Sequence, residues 1–302
     1  MEIKIDEDIN SRVDSYLSNE LDYSRSKIVK MISDGTIKVN GKSIKNSYLL
    51  RKDDVITIGE YIEEDMNIEP ENIPLDIVYE DDDVIVVNKP NGMVVHPAVG
   101  NNHGTLVNAL LYYSKNLSSL NGEFRPGIVH RIDAYTTGLL MVAKNNKAHE
   151  ILAQELSKKE TTRKYIALVW GVIKEDTATI DAPIGRDNTD RKKMAVTSIN
   201  SKDAITHLKV LKRFKDATLI ELQLETGRTH QIRVHMNYIN HPVVNDPVYG
   251  RRKLIDDSGQ CLHAFQIGFK HPTTGKYMNF ECDLPECFKN ILNKFEEESD
   301  DQ

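Results

Sequence analysis

The sequence predicts an α+β chain in two unequal parts, and three observations carry that expectation. At 302 residues the chain is long enough for two domains, or for one large domain with an appendage. Short apolar runs bounded by Gly, Pro or Asn recur from residue 77 to residue 224, interrupted by a few amphipathic helical segments. Between the parts runs Glu60 to Asp83, with eleven acids and no Lys or Arg. These features divide the chain into a small unit over 10–60, an acidic linker over 61–72, a main domain over 73–290 and an acidic tail over 291–302.

Charge narrows the partners. The formal net charge is −7, but it is unevenly spread, because Phe295 to Gln302 adds five more acids to the eleven of the first stretch. Setting those sixteen aside leaves 39 bases against 30 acids, a balance of +9 that attracts a polyanion. The N-terminus is acidic, and the longest apolar runs, such as Ile166 to Ile173, fall far short of a membrane span. A cytoplasmic protein is therefore expected. Three cysteines, at 261, 282 and 287, form neither an even set nor a CxxC pair and are expected to be reduced and structural.

In the small unit, Val13, Tyr16 and Leu17 share one helical face, and Ser24 can cap a second helix that buries Ile28, Met31 and Ile32. Asp34-Gly35 stops that helix. Strands are expected over 36–39 and 55–58, with a turn at Asn40-Gly41. From Ser24 to Lys52 there are eight Lys or Arg and one acid, which gives this unit a basic face.

The main domain opens with a hairpin, Ile77 to Tyr79 and Val84 to Val87 around Asp81-Asp-Asp83. A tight turn at Asn88-Lys-Pro-Asn-Gly leads to an expected strand ending at His96-Pro97. A helix over 105–113 points Leu106, Val107, Leu110 and Leu111 inward. The runs Ile128-Val129 and Leu139 to Ala143 read as buried strands, followed by a helix carrying Ala148, Ile151, Leu152 and Leu156. Strands are then expected at 164–169, near Thr179, at 194–196, at 205–211 and at 218–225, where Ile220, Leu222 and Leu224 alternate with polar residues. Thr229 can cap a last helix with Ile232, Met236 and Ile239 on one face, ended by Asn240-His-Pro242.

Two places carry chemistry. Between the runs at 128 and 139 sits a polar loop with His130, Arg131 and Asp133, closed by Thr136, Thr137 and Gly138. A loop so crowded and so pinned presents one reactive side chain, and Asp133 is the candidate. The second is Gly227-Arg228 at a helix N-terminus, where free amides and a cation suit phosphate. His230 and Gln231 add donors there, and Arg233 can reach a carboxylate across a cleft and favour its charged form. Each alone has a plain structural reading: a turn-forming Asp, a surface ion pair, a core Tyr at 165. His230, His235 and His241 lack a metal-ligand spacing, so no metal site is expected. A paired-carboxylate hydrolase would need a second acid, and nothing in the sequence brings Asp246 near Asp133. Nucleophile elbows and Gly-rich phosphate loops are absent.

His130-Arg-Ile-Asp133 with Thr136-Thr-Gly138 resembles the active-site motif of RluA/RluC/RluD-type pseudouridine synthases. Asn88-Lys-Pro-Asn-Gly with Val95-His-Pro97, Arg163-Lys-Tyr165, Gly227 to His235 and Asp246-Pro-Val-Tyr-Gly250 are similar to that family's other motifs, in order, over about residues 73 to 285. Ser24 to Lys30 and Gly35 to Gly41 resemble the RNA-binding module first described in a small-subunit ribosomal protein. The resemblance implies a mixed, mainly antiparallel sheet split around a cleft, with a small α/β RNA-binding domain in front, and isomerisation of uridine to pseudouridine, most simply in large-subunit ribosomal RNA. It makes Asp133 the essential carboxylate, lays Tyr165 against the base, pairs Arg233 with Asp133 and sends Arg131 into the gap left by the extruded nucleotide. His130, Arg228, His230, Gln231 and Lys89 are then expected to bind substrate, and Arg25, Lys27, Lys30, Lys38 and Lys42 to face RNA from the module. No cofactor is needed, since the reaction is redox-neutral, and a monomer without an obligate protein partner is expected. An inactive RNA-binding ribosome assembly factor and a base-removing glycosidase are the alternatives. Ala134-Tyr135 and Asn245 depart from the family pattern.

Overall fold

The computed structural model describes residues 1–21, 23–61, 68–97, 102–122, 125–190, 193–250 and 252–300. The chain divides into two compact units, Met1–Asp65 and Met66–Gln302.

In the first unit, β1 (Glu2–Lys4), β2 (Ile37–Val39) and β3 (Val55–Ile58) form an antiparallel sheet in the order β1-β3-β2, joined by α1 (Val13–Glu20) and α2 (Arg25–Ser33). Val13 and Leu17 of α1 and Ile28, Met31 and Ile32 of α2 close over Ile37, Val39 and Ile56. Each such side chain stabilises the unit by about 1.5–3 kcal/mol on full burial. The Ser24 hydroxyl accepts from the Lys27 amide and caps α2. Asn40, in the left-handed region at φ 51°, donates to Asp54 and accepts from the Val55 amide, so the turn is tied to β3.

The second unit contains β4 (Asp76–Glu80), β5 (Val84–Lys89), α3 (Leu106–Tyr113), β6 (Thr137–Ala143), α4 (Asn146–Ser157), β7 (Thr162–Trp170), β8 (Thr177–Asp181), β9 (Ile184–Arg186), β10 (Met194–Val196), β11 (Ile205–Arg213), β12 (Ala217–Leu224), α5 (Gln231–Tyr238), β13 (Leu262–Lys270), β14 (Tyr277–Glu281) and α6 (Glu286–Asp300). Its main sheet runs β4-β5-β6-β13-β7-β12-β11-β8, with β14 also on β13 and a separate β9–β10 ribbon. All pairings are antiparallel except β6 with β13, which meet at only two residue pairs, Thr137 with His263 and Gly138 with Ala264. This is the mixed, mainly antiparallel sheet implied by the resemblance. β6 and β14 share one edge of β13, because residues 263–264 face β6 and residues 266–270 face β14 while β7 takes the other edge. The sheet therefore parts beside β13. Gly138, at φ 107°, lies so close to the Ala264 backbone that a Cβ there would overlap it. Only glycine lets β6 join there.

Four expectations change. Residues 93–96 form no strand; the Val94 and Val95 carbonyls instead accept from the Leu106 and Val107 amides, the first of α3, which have no partner within the helix. Ile128 makes a single bridge to Val142 instead of a strand. The helix over 231–238 is preceded by His230 in the left-handed region, with no cap from Thr229. The expected tail over 291–302 is, through Asp300, the body of α6: Phe288, Ile291 and Phe295 pack on Leu168, Phe214 and Val244, leaving Glu297 and Glu298 outside. Residues 301–302, and 62–67 of the expected linker, lie outside the described residues. Glu69 and Glu71 belong to the second unit, where the Glu69 carbonyl accepts from Asn108 and the Glu71 amide donates to the Asn108 carbonyl.

Candidate active site

Asp133 stands on the turn that leads into β6. The turn is closed by the Thr136 amide donating to the Asp133 carbonyl (3.1 Å), and the strand beyond it is pinned by the Ala143 amide donating to Gly127 (2.8 Å). Beneath it lies Lys89, fully buried, whose ammonium donates to the carbonyls of Pro90, Met93 and Ala134, each at 2.8 Å. Burial pushes Lys89 down to about 7, opposed by Asp133. Three acceptors match the three N–H bonds of an ammonium, so the network itself favours the charged form. With all its donors used, Lys89 does not serve the substrate contact expected of it; it fixes Ala134, the neighbour of Asp133.

Across the cleft, α5 delivers Arg233. Its Nη1 donates to Asp133 Oδ2 at 2.9 Å, while Nε and Nη2 make a bidentate pair with Asp246 at 2.7 and 2.8 Å. Burial alone would lower the Arg233 pKa, but Asp246 and Asp133 outweigh it and raise it. Burial likewise disfavours ionised Asp246, and Arg233 with the Tyr249 and Val248 amides prevails, holding its carboxyl below the ordinary value. Asp246 is thus the second acid, joined to Asp133 through one guanidinium. It is buried at 2 % exposure and so orients Arg233 without reaching a substrate.

Tyr165, buried on β7, lines the same cavity of about 480 Å³ as Asp133 and Arg233. Burial raises its phenol pKa, so the hydroxyl is protonated at neutral pH. Arg131 is exposed at the cavity wall, its Nη1 donating to His96 Nε2 at 3.1 Å. Burial, with Arg131 and Arg125 nearby, pushes His96 down to about 4, which keeps it a neutral acceptor. His130 is pushed down to about 3 by burial, and its Nε2 accepts from the Met141 amide.

The Gly227-Arg228 turn differs from expectation. The Arg228 amide donates to the Gln231 side chain at 2.9 Å and its Nε donates to the Asp203 carbonyl, so that amide is not free for phosphate. Gln231 also accepts from Thr226 and donates to Ile205 and Thr206; every hydrogen-bonding position of this side chain is taken, and it braces the helix start instead of binding substrate. His230 Nδ1 is 2.8 Å from the Tyr249 hydroxyl, which also accepts from the Met194 amide. Its Nε2 stands 3.8 Å from Asp133 Oδ1. The three crowded histidines diverge: His235 contacts Thr206 and the Ala182 carbonyl, and His241 the Trp170 carbonyl. Among the described residues no group of three or more His, Cys, Asp or Glu could hold a metal ion.

In the first unit, Arg25 pairs with buried Asp14 at 3.0 Å, together with Arg12 at 2.9 Å. Lys27 lies over the rings of Tyr23 and Tyr61, and Lys30 over Tyr61. Lys38 and Lys42 are exposed on β2 and the following turn.

Sequence reasoning did not find the braces: Asp246 behind Arg233, Tyr249 behind His230, His96 behind Arg131. Their signals are short motifs: His96 stands in Val95-His-Pro97, and Asp246 and Tyr249 share another, where the Asp246 carboxylate accepts from the amides two and three residues on.

One cavity of the second unit thus brings together a carboxylate, a guanidinium and a buried tyrosine. The sequence matches the RNA pseudouridylate synthase family over residues 83–238 and the S4 domain over residues 11–56. The chain belongs to the RNA pseudouridylate synthase family, as the motif resemblance implied, and is an isomerase that converts uridine to pseudouridine. It is 53% identical over 288 residues to an uncharacterized RNA pseudouridine synthase of Bacillus subtilis (strain 168), covering 95% of each chain. It is 41% identical over 312 residues to ribosomal large subunit pseudouridine synthase D of Escherichia coli O6:H1, covering 97% of this chain and 94% of that one. Among solved structures it is similar to human RNA pseudouridylate synthase domain containing 1, with a TM-score of 0.57 and 26% identity over 75% of this chain and 96% of that one.

Proposed function

We propose that the protein isomerises specific uridines of large-subunit ribosomal RNA, as a monomer in the cytoplasm during ribosome biogenesis, and that Asp133 is the carboxylate that starts the reaction. One observation carries the role of Asp133: it faces the cavity of Tyr165 with a single oxygen held by Arg233, while Asp246 locks that guanidinium from behind. An ionised, oriented carboxylate can attack C1′ of the ribose or take the proton from C2′. Tyr165 supplies the face for the flipped base, and Arg131, exposed beside the cavity, fills the vacancy in the stack. The relatives named for large-subunit synthase activity support the choice of RNA.

The intact Asp133, Tyr165 and Arg233 set favours an enzyme over an inactive assembly factor. Release of tritium from unmodified large-subunit rRNA labelled at uridine C5 tests this directly. Tritium should appear in the solvent without free uracil. Free uracil would mean a glycosidase, and tight binding without tritium release would mean an assembly factor. Mapping pseudouridines in rRNA from cells lacking the protein then locates its targets.

A further inference from the structure

The cavity also contains a buried cation that stands outside the Asp133–Arg233–Asp246 cluster. Arg163 is two residues from Tyr165 on β7, so both side chains point to the same face, and both line the cavity with Asp133. Arg163 is 8 % exposed and, among the described residues, pairs with no carboxylate. Its one side-chain hydrogen bond among those residues is a long one, from Nη2 to the Glu225 carbonyl at 3.3 Å, and its enclosed Nε has no acceptor. Gly227 is cut back to make room for it, since a Cβ there would lie 2.7 Å from Nη1. A guanidinium remains charged when buried, and leaving it unpaired is costly. The other cations buried at this site have their partners: Arg233 two carboxylates, Lys89 three carbonyls.

We propose that Arg163 is the electrostatic partner of the uracil as it departs from the ribose. This role rests on the isomerase reading above. When the N1–C1′ bond breaks, its electron pair stays with the base, which becomes a uracil anion with charge shared over N1, O2 and O4. Asp133 loses its charge in the same step, either by bonding to C1′ or by taking the C2′ proton and leaving a 1′,2′-unsaturated sugar. On either route one negative charge moves from the carboxylate beside Arg233 to the base beside Tyr165. Arg163 meets it there. C5 then bonds to C1′, Asp133 regains its charge by releasing the ester or returning the proton, the C5 hydrogen leaves and N1 takes up a proton from water. A preorganised charge that acts only on the departing base lowers the barrier without tightening substrate binding.

The test uses the full-length protein on large-subunit rRNA transcribed with uridine or with 5-fluorouridine, whose base leaves more readily as an anion. Loss of the parent nucleoside from a nuclease digest, under single-turnover conditions, gives the rate. Arg163→Met should lower the rate on uridine RNA by about 10²–10³, the effect of removing one oxyanion donor, with RNA affinity and its salt slope unchanged. Arg163→Lys should recover part of that loss, and the loss should shrink on 5-fluorouridine RNA. If Arg163→Met does not fold, the Lys variant carries the same comparison and must be more impaired on uridine than on 5-fluorouridine. A loss confined to affinity, with a salt slope flatter by about 0.7 to 0.9, would make Arg163 a phosphate contact and overturn the proposal. Equal losses on both RNAs would overturn it too, as a structural role. A wild-type protein inert on uridine RNA would instead remove the isomerase reading beneath it.

Discussion

Two ion clusters, one in each unit, are built with opposite signs. In the first unit a buried carboxylate, Asp14, is held by Arg12 and Arg25, whose side chains are 44% and 56% exposed. In the second a buried guanidinium, Arg233, is held between Asp133 and Asp246, and of the two acids only Asp133 reaches the cavity. In each the buried centre fixes geometry, and Arg12, Arg25 and Asp133 are more exposed than the centre they hold. An acid at the centre leaves a surplus of positive charge outside, suited to a phosphate backbone. A base at the centre leaves a carboxylate outside, suited to attack on a ribose. If the proposed roles hold, one cluster serves RNA binding and the other the chemistry, and each can be broken alone.

The largest expected effect is at the outer acid of the second cluster. Asp133→Asn keeps shape and the bond from Arg233 but can act neither as nucleophile nor as base, so tritium release should vanish while RNA affinity stays within a few fold. Substantial turnover would place the reactive carboxylate elsewhere. Next comes the centre. Arg233→Lys should cause a large loss of turnover, because a point charge cannot fork to Asp246 and still reach Asp133. Lys cannot replace all three donor contacts, which leaves buried carboxylate oxygens unpaired, so the melting temperature should fall as well. Near-normal rates would detach Arg233 from the chemistry.

Deleting residues 1–60 should weaken RNA binding and flatten the salt dependence by about 0.7 to 0.9 in log–log slope for each phosphate no longer neutralised, with saturated single-turnover rates little changed. Unchanged binding would deny the first unit its RNA role; good binding with a failed reaction would make it part of the site. The smallest effect concerns acid. Burial opposes ionised Asp14 and Asp246, yet their arginines hold both carboxyls below the ordinary value. Folded values below the unfolded one, about 3.9, mean stabilisation that is full above about pH 4 and lost as pH falls below it. Asp246→Asn should therefore lower stability at pH 7 and flatten the acid limb of the melting curve. An acid limb as steep as that of the wild type would assign the acid sensitivity to other carboxyls.

Local features were legible in the sequence. Ser24 caps α2, the α3 helix buries Leu106, Val107 and Leu110, and β12 alternates as written, because each depends on neighbours a few residues away. The loop that carries Asp133 was also legible, and its link to Arg233 followed from the family resemblance. What escaped depends on distant partners. Lys89 is drawn inward by a carbonyl 45 residues later, and Arg163 became visible as a buried cation only once Gly227 had been folded against it. The α6 segment was misread because counting acids ignores helical spacing, on which Phe288, Ile291 and Phe295 fall to one side.

The two-residue seam between β6 and β13 bears on when a newly made chain can work. Thr137 meets His263 across 126 positions, so the strand that anchors the Asp133 loop, paired early with β5, waits for β13 until most of the polypeptide has been synthesised. Closing so long a stretch costs chain entropy that only the later strands repay. A nascent protein halted on the ribosome before residue 262 should thus lack isomerase activity even with every residue of the Asp133–Arg233 cluster already in place. Activity appearing in arrested chains only once Leu262–Lys270 has cleared the exit tunnel would show that the seam times the birth of the active site.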